Sequence, residues 1–214
     1  MPTISTEQIF NDLKEQIIKG VYPPAFSLTE VELAQKYGAS RNTIKKCLMM
    51  LENEGLVCIE RNKGAKVRVY SIDEVLEFLE LREELEAFII RNAVKSITDE
   101  QLQNMESLMK QMKQLLDQKD LLGYSQCNQE FHRFIYAACT NRTAVDVATQ
   151  LKNQMRKYNS KTILVPGRDA NSYSEHIKIL EALRTRDEKA ADLYMRIHIR
   201  NVYKTFQDNY ALLF

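Results

Sequence analysis

A mostly α chain, an N-terminal winged helix-turn-helix followed by an all-helical bundle, is predicted by three features of the sequence. The 214 residues hold only six glycines and four prolines, too few for the turn-rich layout of an all-β protein. Residues 1–71 carry a helix, two short helices around a glycine turn and a basic hairpin, in that order. Residues 72–214 repeat apolar positions at helical spacing and carry no strand signal. The length suits a small domain, 1–71, plus a medium one, 72–214.

Ser5, Thr6 and Glu7 open the first helix, where Ile9, Leu13, Ile17 and Ile18 recur at helical spacing. Gly20 ends it, and Pro23 and Pro24 keep the chain extended. Thr29 is placed to cap a helix running to Lys36, with Glu32 three residues on completing a capping box. The chain turns at Gly38, which enters the left-handed region without a Cβ penalty. Ser40 caps the next helix, with Ile44, Leu48 and Leu51 on its buried side, and Gly55 closes it. Residues 56–60 and 66–70 then read as two strands around a basic tip at 61–65.

The net charge of +1 is silent about nucleic acid, but its distribution is not. From Lys36 to Arg68 eight Lys and Arg stand against three Glu, a local excess suited to phosphate. In a helix-turn-helix the N-terminal residues of the second helix face base edges in the major groove. Arg41 then offers two donors to guanine, and Asn42 pairs with adenine or contacts phosphate. Thr43 and Lys45 are next within reach. Lys46 and the hairpin residues Arg61, Lys63 and Lys66 suit backbone phosphates, which position without specifying. The backbone at Gly64 can approach DNA closely because no Cβ intervenes. For each of these residues taken singly, a solvated basic surface is the competing reading.

Cys47, Cys58, Cys127 and Cys139 show no CxxC pairing, so reduced buried thiols in a cytoplasmic protein are expected. No signal peptide is expected, because the first residues lack a basic region followed by an apolar stretch, and no apolar run approaches membrane-spanning length.

The second part reads as helices over 73–95, 99–117, 121–138, 144–158, 172–184 and 187–209, with 165–171 the clearest loop. Its three histidines are the only ones in the chain, and each falls inside a predicted helix. Neutral imidazole is the commonest metal ligand. His132, His176 and His198, one from each of three helices, can therefore build a metal site in the bundle interior. Asn128 lies four residues before His132 and shares its helix face. Three core histidines without a metal are the plainer alternative.

The N-terminal residues resemble the GntR superfamily of bacterial regulators. The resemblance is carried by Ile18 to Pro23, Leu28 to Glu30, Leu33, Ala34, Tyr37, Gly38, Ser40, Arg41, Leu48, Leu51, Glu54 to Val57 and Gly64 to Val67. Ala25 stands where a glycine is usual, and Lys45 with Lys46 replaces an Arg-Glu pair. The resemblance implies binding to double-stranded operator DNA as a homodimer, because one winged module covers half of a palindromic site.

Residues beyond 72 resemble the FCD effector domain of the FadR-type branch. Here the matching residues are Glu80 to Arg82, Leu85, Glu86, Phe131, His132, Asn141, Glu175, His176, Ile179, Leu180, Asp187, Ala190, Ala191 and His198. In metal-binding members a carboxylate four residues before the first histidine joins three histidines around a divalent ion. His132, His176 and His198 match those histidines, and Asn128 replaces the carboxylate. Three imidazoles still serve zinc or nickel, whereas a harder ion loses more. By the same resemblance Arg82 holds an effector carboxylate, which its guanidinium fork suits. The competing reading is an Arg82–Glu86 surface pair of little worth.

Asn141 reads as a helix cap or a polar cavity wall, and Tyr194 lies one turn before His198. The implied function is an effector-binding bundle that sets operator affinity in response to a small carboxylate. A metal-free regulator holding an acyl ligand is the alternative. A three-histidine metal enzyme is disfavoured, because Glu130 and Glu175 are poorly aimed as general bases.

Overall fold

The computed structural model describes residues 4–60, 64–163 and 165–213. The chain divides into two units, Met1–Ser71 with Asn153–Lys157, and Ile72–Lys152 with Tyr158–Phe214.

In the first unit, α1 (Thr6–Ile18) starts at a reciprocal cap. The Gln8 amide donates to the Ser5 hydroxyl at 3.2 Å, and the Gln8 side chain accepts from the Ser5 amide at 2.9 Å. Thr29 caps α2 (Glu30–Tyr37) by accepting from the Glu32 amide, as its position predicts. The Glu32 carboxylate instead accepts a hydrogen bond from the Thr29 hydroxyl at 2.6 Å, so the reciprocal half of that box is replaced by a side-chain bond. Gly38 ends α2 at φ 60°, and Ser40 caps α3 (Arg41–Asn53). Ile9, Leu13, Ile44, Leu48, Leu51, Val57 and Val67 share one apolar core.

Three antiparallel strands complete this unit: β1 (Ser27–Leu28), β2 (Val57–Glu60) and β3 (Gly64–Val67), in the order β1-β3-β2. β1 has no counterpart in the sequence reading, because two residues carry no periodicity. β3 ends at Val67, short of the expected Tyr70. Tyr70 is buried and donates its hydroxyl to the Gly55 carbonyl at 2.7 Å, away from the sheet ladder.

In the second unit, α4 (Ile72–Ser96) packs on α6 (Leu121–Ala138) and on α9 (Glu188–Asp208). α5 (Asp99–Asp117) packs on α6 and on α8 (Arg168–Arg184), and α8 also lies against α9. α7 (Arg142–Thr162) and the short α10 (Tyr210–Leu213) complete the helices. Caps from Thr98, Asp120 and Asp187 fix the starts of α5, α6 and α9. α8 begins at Arg168, earlier than Ser172, with Gly167 at φ 78° as its N-cap, so much of the expected loop is helix. Cys47, Cys127 and Cys139 are buried free thiols as expected, whereas Cys58 on β2 is exposed. No helix among the described residues is long and apolar enough to cross a membrane.

Candidate metal centre and nucleic-acid interface

His132 on α6, His176 on α8 and His198 on α9 converge in the interior of the helical unit, with 3% exposure or less. A donor nitrogen from each lies within 4.8 Å of the others. The ring centroids are 5.6 Å (His132–His176), 5.2 Å (His132–His198) and 4.8 Å (His176–His198) apart. A tetrahedral zinc site sets its nitrogens about 3.4 Å apart, so these rings are grouped more loosely than a closed site. Among the described residues, His132 Nδ1, both nitrogens of His176, Asn128 Oδ1 and Glu86 Oε2 are buried without a hydrogen-bond partner. Buried polar atoms are nearly always bonded. This concentration of unmet donors and acceptors, imidazole nitrogen foremost, fits a divalent metal.

Burial and the neighbouring cations hold His132 and His176 well below the ordinary histidine range. Burial also lowers His198, against the opposing pull of Glu175. All three rings are therefore neutral near pH 7, the form that carries a lone pair for a metal.

Two buried carboxylates stand behind the rings. Glu175 Oε2 lies 2.6 Å from His198 Nδ1. Arg168 grips both oxygens of Glu175 at 3.1 and 3.2 Å, and Asn201 donates to Oε1 at 2.8 Å. Burial alone would raise the Glu175 pKa, but these partners outweigh it and lower it. Glu86 accepts from Arg82 Nε at 3.0 Å and from the Tyr136 hydroxyl at 2.6 Å. Its other oxygen stops 3.9 Å from His132 Nδ1. Glu86 too is lowered, because Arg82, Lys152 and Tyr136 overcome its desolvation.

In the N-terminal unit Ser40 caps α3 so that Arg41, Asn42, Lys45 and Lys46 are exposed, while Ile44, Cys47 and Leu48 face the core. Thr43 is half-buried, with its hydroxyl 2.9 Å from that of Ser40. The exposed basic face at the start of a capped second helix is the arrangement that enters a major groove.

Residues 77–201 match the FCD domain family, and residues 5–67 match the family described as bacterial regulatory proteins, gntR family. The chain belongs to the GntR family of bacterial transcriptional regulators and carries an FCD effector-binding domain. Curated relatives of this FCD regulator include the HTH-type transcriptional repressor RspR of Escherichia coli. That protein is 22% identical over 196 residues, covering 92% of this chain and 86% of the relative. The HTH-type transcriptional repressor NanR of Cronobacter sakazakii is 25% identical over 224 residues, covering 94% and 85%. Among solved structures, E. coli McbR/YncC superposes with a TM-score of 0.77 at 21% identity, covering 95% of this chain and 97% of that one. A GntR regulator from Rhodococcus sp. RHA1 gives 0.76 at 18% identity, with 95% and 97% coverage. These likenesses agree with the helix-turn-helix and helical bundle seen here.

Several expectations for individual residues of the FCD regulator need revision. The Arg82–Glu86 pair exists, but both side chains are buried, at 5% and 0% exposure, so the surface reading of it is wrong. Asn141 is exposed, and its side-chain Oδ1 accepts from the Ala144 amide at 3.0 Å. It caps α7 and does not wall the buried histidine group. Tyr194 is half-buried and lines a surface cleft of about 450 Å³ between α8 and α9, shared with Arg168, Glu175 and Asn201. Glu175 also lines that cleft, whereas the buried His198 does not.

Gly64 has a fold role that the sequence did not reveal. At φ 92°, a Cβ there would sit 2.5 Å from the Leu28 carbonyl oxygen, so glycine is what lets β3 lie against β1. Lys66 pairs with Glu60 at 2.9 Å across the β-hairpin. Arg61 and Lys63 lie outside the described residues.

Glu175, Arg168 and Asn201 were missed as parts of the site. The available signal was the seven-residue spacing of Arg168 and Glu175, which shares a face only if α8 starts at 168.

Proposed function

We propose that this FCD regulator is a cytoplasmic homodimer that binds double-stranded operator DNA. A small carboxylate bound beside His132, His176 and His198 sets its operator affinity. The three imidazoles hold a divalent metal, zinc or nickel, with the Asn128 carbonyl as a weak fourth donor. The observation that carries this reading is the cluster of buried, unpartnered atoms on His132, His176 and Asn128. Each unmet buried group costs about 1–3 kcal/mol, a cost that a bound metal removes.

When bound, the metal supplies a Lewis-acidic position for a carboxylate oxygen. Arg82 lies on the α4 side of the site, and an incoming carboxylate shares its guanidinium with Glu86. Arg41 and Asn42 read base edges, with Thr43 and Lys45 next within reach. Lys46, Arg61, Lys63 and the backbone at Gly64 meet phosphates. Effector binding shifts the helical unit between two packings and resets the spacing of the paired recognition helices. The coupling amounts to about 1–3 kcal/mol.

Elemental analysis of untagged protein purified without chelator tests the metal. Gel shifts on DNA flanking its own gene, with and without mono- and dicarboxylates, test the response. Zinc-loaded protein that binds its operator equally well with and without every ligand would overturn the effector site.

A further inference from the structure

The three rings of the histidine group are not held alike. Among the described residues His176 has no partner on either nitrogen, and His132 Nδ1 faces Glu86 across 3.9 Å, beyond hydrogen-bond range. His198 alone of the three lies, among the described residues, within hydrogen-bond distance of a carboxylate, at 2.6 Å. That carboxylate has no slack. Glu175 takes two bonds from the Arg168 fork, one from Asn201 and one from His198, two on each oxygen. Arg168 opens α8 and Asn201 lies on α9, so Glu175 is clamped by both helices that carry the adjoining ligands.

An ionised carboxylate only accepts hydrogen bonds. The proton in the 2.6 Å contact therefore belongs to His198 Nδ1, which leaves the lone pair on Nε2. A carboxylate bonded behind a ligating imidazole fixes its tautomer and makes it a stronger donor.

We propose that Glu175 is a positioning residue for the metal centre, locking His198 as an Nε2 donor. This rests on the reading above that the histidines take a divalent metal. It makes His198 the preset ligand of the three, with His132 and His176 completing the site.

The chain's three histidines make the test direct, because labelling histidine with nitrogen-15 marks only these rings. Two-bond nitrogen–hydrogen correlation spectra report which ring nitrogen carries the proton. They would be recorded on the full chain without metal and with one equivalent of zinc, and assigned with single His→Gln variants. His198 is expected to hold its proton on Nδ1 in both states and to bind zinc through Nε2. Zinc bound through His198 Nδ1, or Nδ1 without a proton in the metal-free chain, overturns the proposal.

Two variants separate positioning from mere packing, since both break the same ion pair. In chelator competition Glu175→Gln should weaken zinc binding about 10–100-fold, while Arg168→Met should weaken it much less. Equal losses in the two variants overturn the positioning role. If either variant fails to fold, the spectra of the unaltered chain decide. Zinc that perturbs none of the three rings defeats the metal reading itself, and the role of Glu175 falls with it. Zinc that binds with unchanged affinity in Glu175→Gln defeats only the latter.

Discussion

The ring of Phe131 lies 4.4 Å from that of His176, centroid to centroid, and both side chains are fully buried. Phe131 precedes His132 on α6, so one turn of helix supplies a candidate ligand and the apolar support for another. Phe131→Ala removes that support and leaves a cavity, at an expected cost of about 3–5 kcal/mol. Urea unfolding of metal-free protein measures it. A loss below about 1 kcal/mol would mean that the surrounding helices collapse into the space.

Ala25 holds φ 63°, in the left-handed region that favours glycine. Left-handed backbone costs an ordinary residue about 1–2 kcal/mol, and glycine gives back part of that in unfolded-state entropy. Ala25→Gly should therefore stabilise by about 0.5–1 kcal/mol. Thermal melts check this, and operator binding should not change.

Arg41 and Lys46 are both exposed on α3 but at different distances from its N-terminus. Arg41→Ala should remove discrimination at one base pair by about 1–3 kcal/mol. Lys46→Ala should weaken operator and random DNA alike and reduce the salt slope by about one. Quantitative gel shifts across a salt series decide, and matching behaviour would remove the division between reading and positioning residues.

Asn128→Asp should tighten divalent-metal binding by adding a carboxylate where Asn128 Oδ1 is buried and unpartnered. The readout is the melting shift on adding zinc, which grows with the logarithm of ligand concentration over Kd. His132→Ala or His198→Ala should abolish the shift.

Acid should destabilise metal-free protein from the histidine range downward. His132 and His176 are held below their ordinary value of 6.5, so below that pH the unfolded chain binds protons that the folded chain refuses. Their contribution is fully present above about pH 6.5. It is lost as pH falls, by about 1.4 kcal/mol per pH unit for each histidine. Glu86 and Glu175 are lowered as well, so their contribution is present above the ordinary carboxylate range and is lost at still lower pH. Urea midpoints between pH 5 and 8 test this: a flat profile contradicts the neutral, buried state of the rings, and His176→Gln should lessen the fall below about pH 6.5.

Local order along the chain was enough to read most of the helices and two of their caps. Thr29 and Ser40 bond to amides three residues on, so their roles depend on spacing alone, and the caps at Ser5, Thr98 and Asp187 are of the same local kind but were not singled out. The three histidines could be singled out for the same reason, since each lies on a helix whose period is visible. Tertiary structure decided everything that joins distant segments. Gly64 answers to Leu28 across a strand pair too short to show a pattern. Arg82 and Glu86 are one turn apart in sequence, but only the packing of α4 on α6 and α9 turns their pair inward. Asn141 and Tyr194 lie near the histidine helices in sequence yet face other surroundings. Glu175 was readable as a neighbour of His176, but its partner is His198, 23 residues away on α9. A helix period specifies which side chains share a face. Which residue that face meets is set by the packing of two helices against each other, and no spacing within either one encodes it.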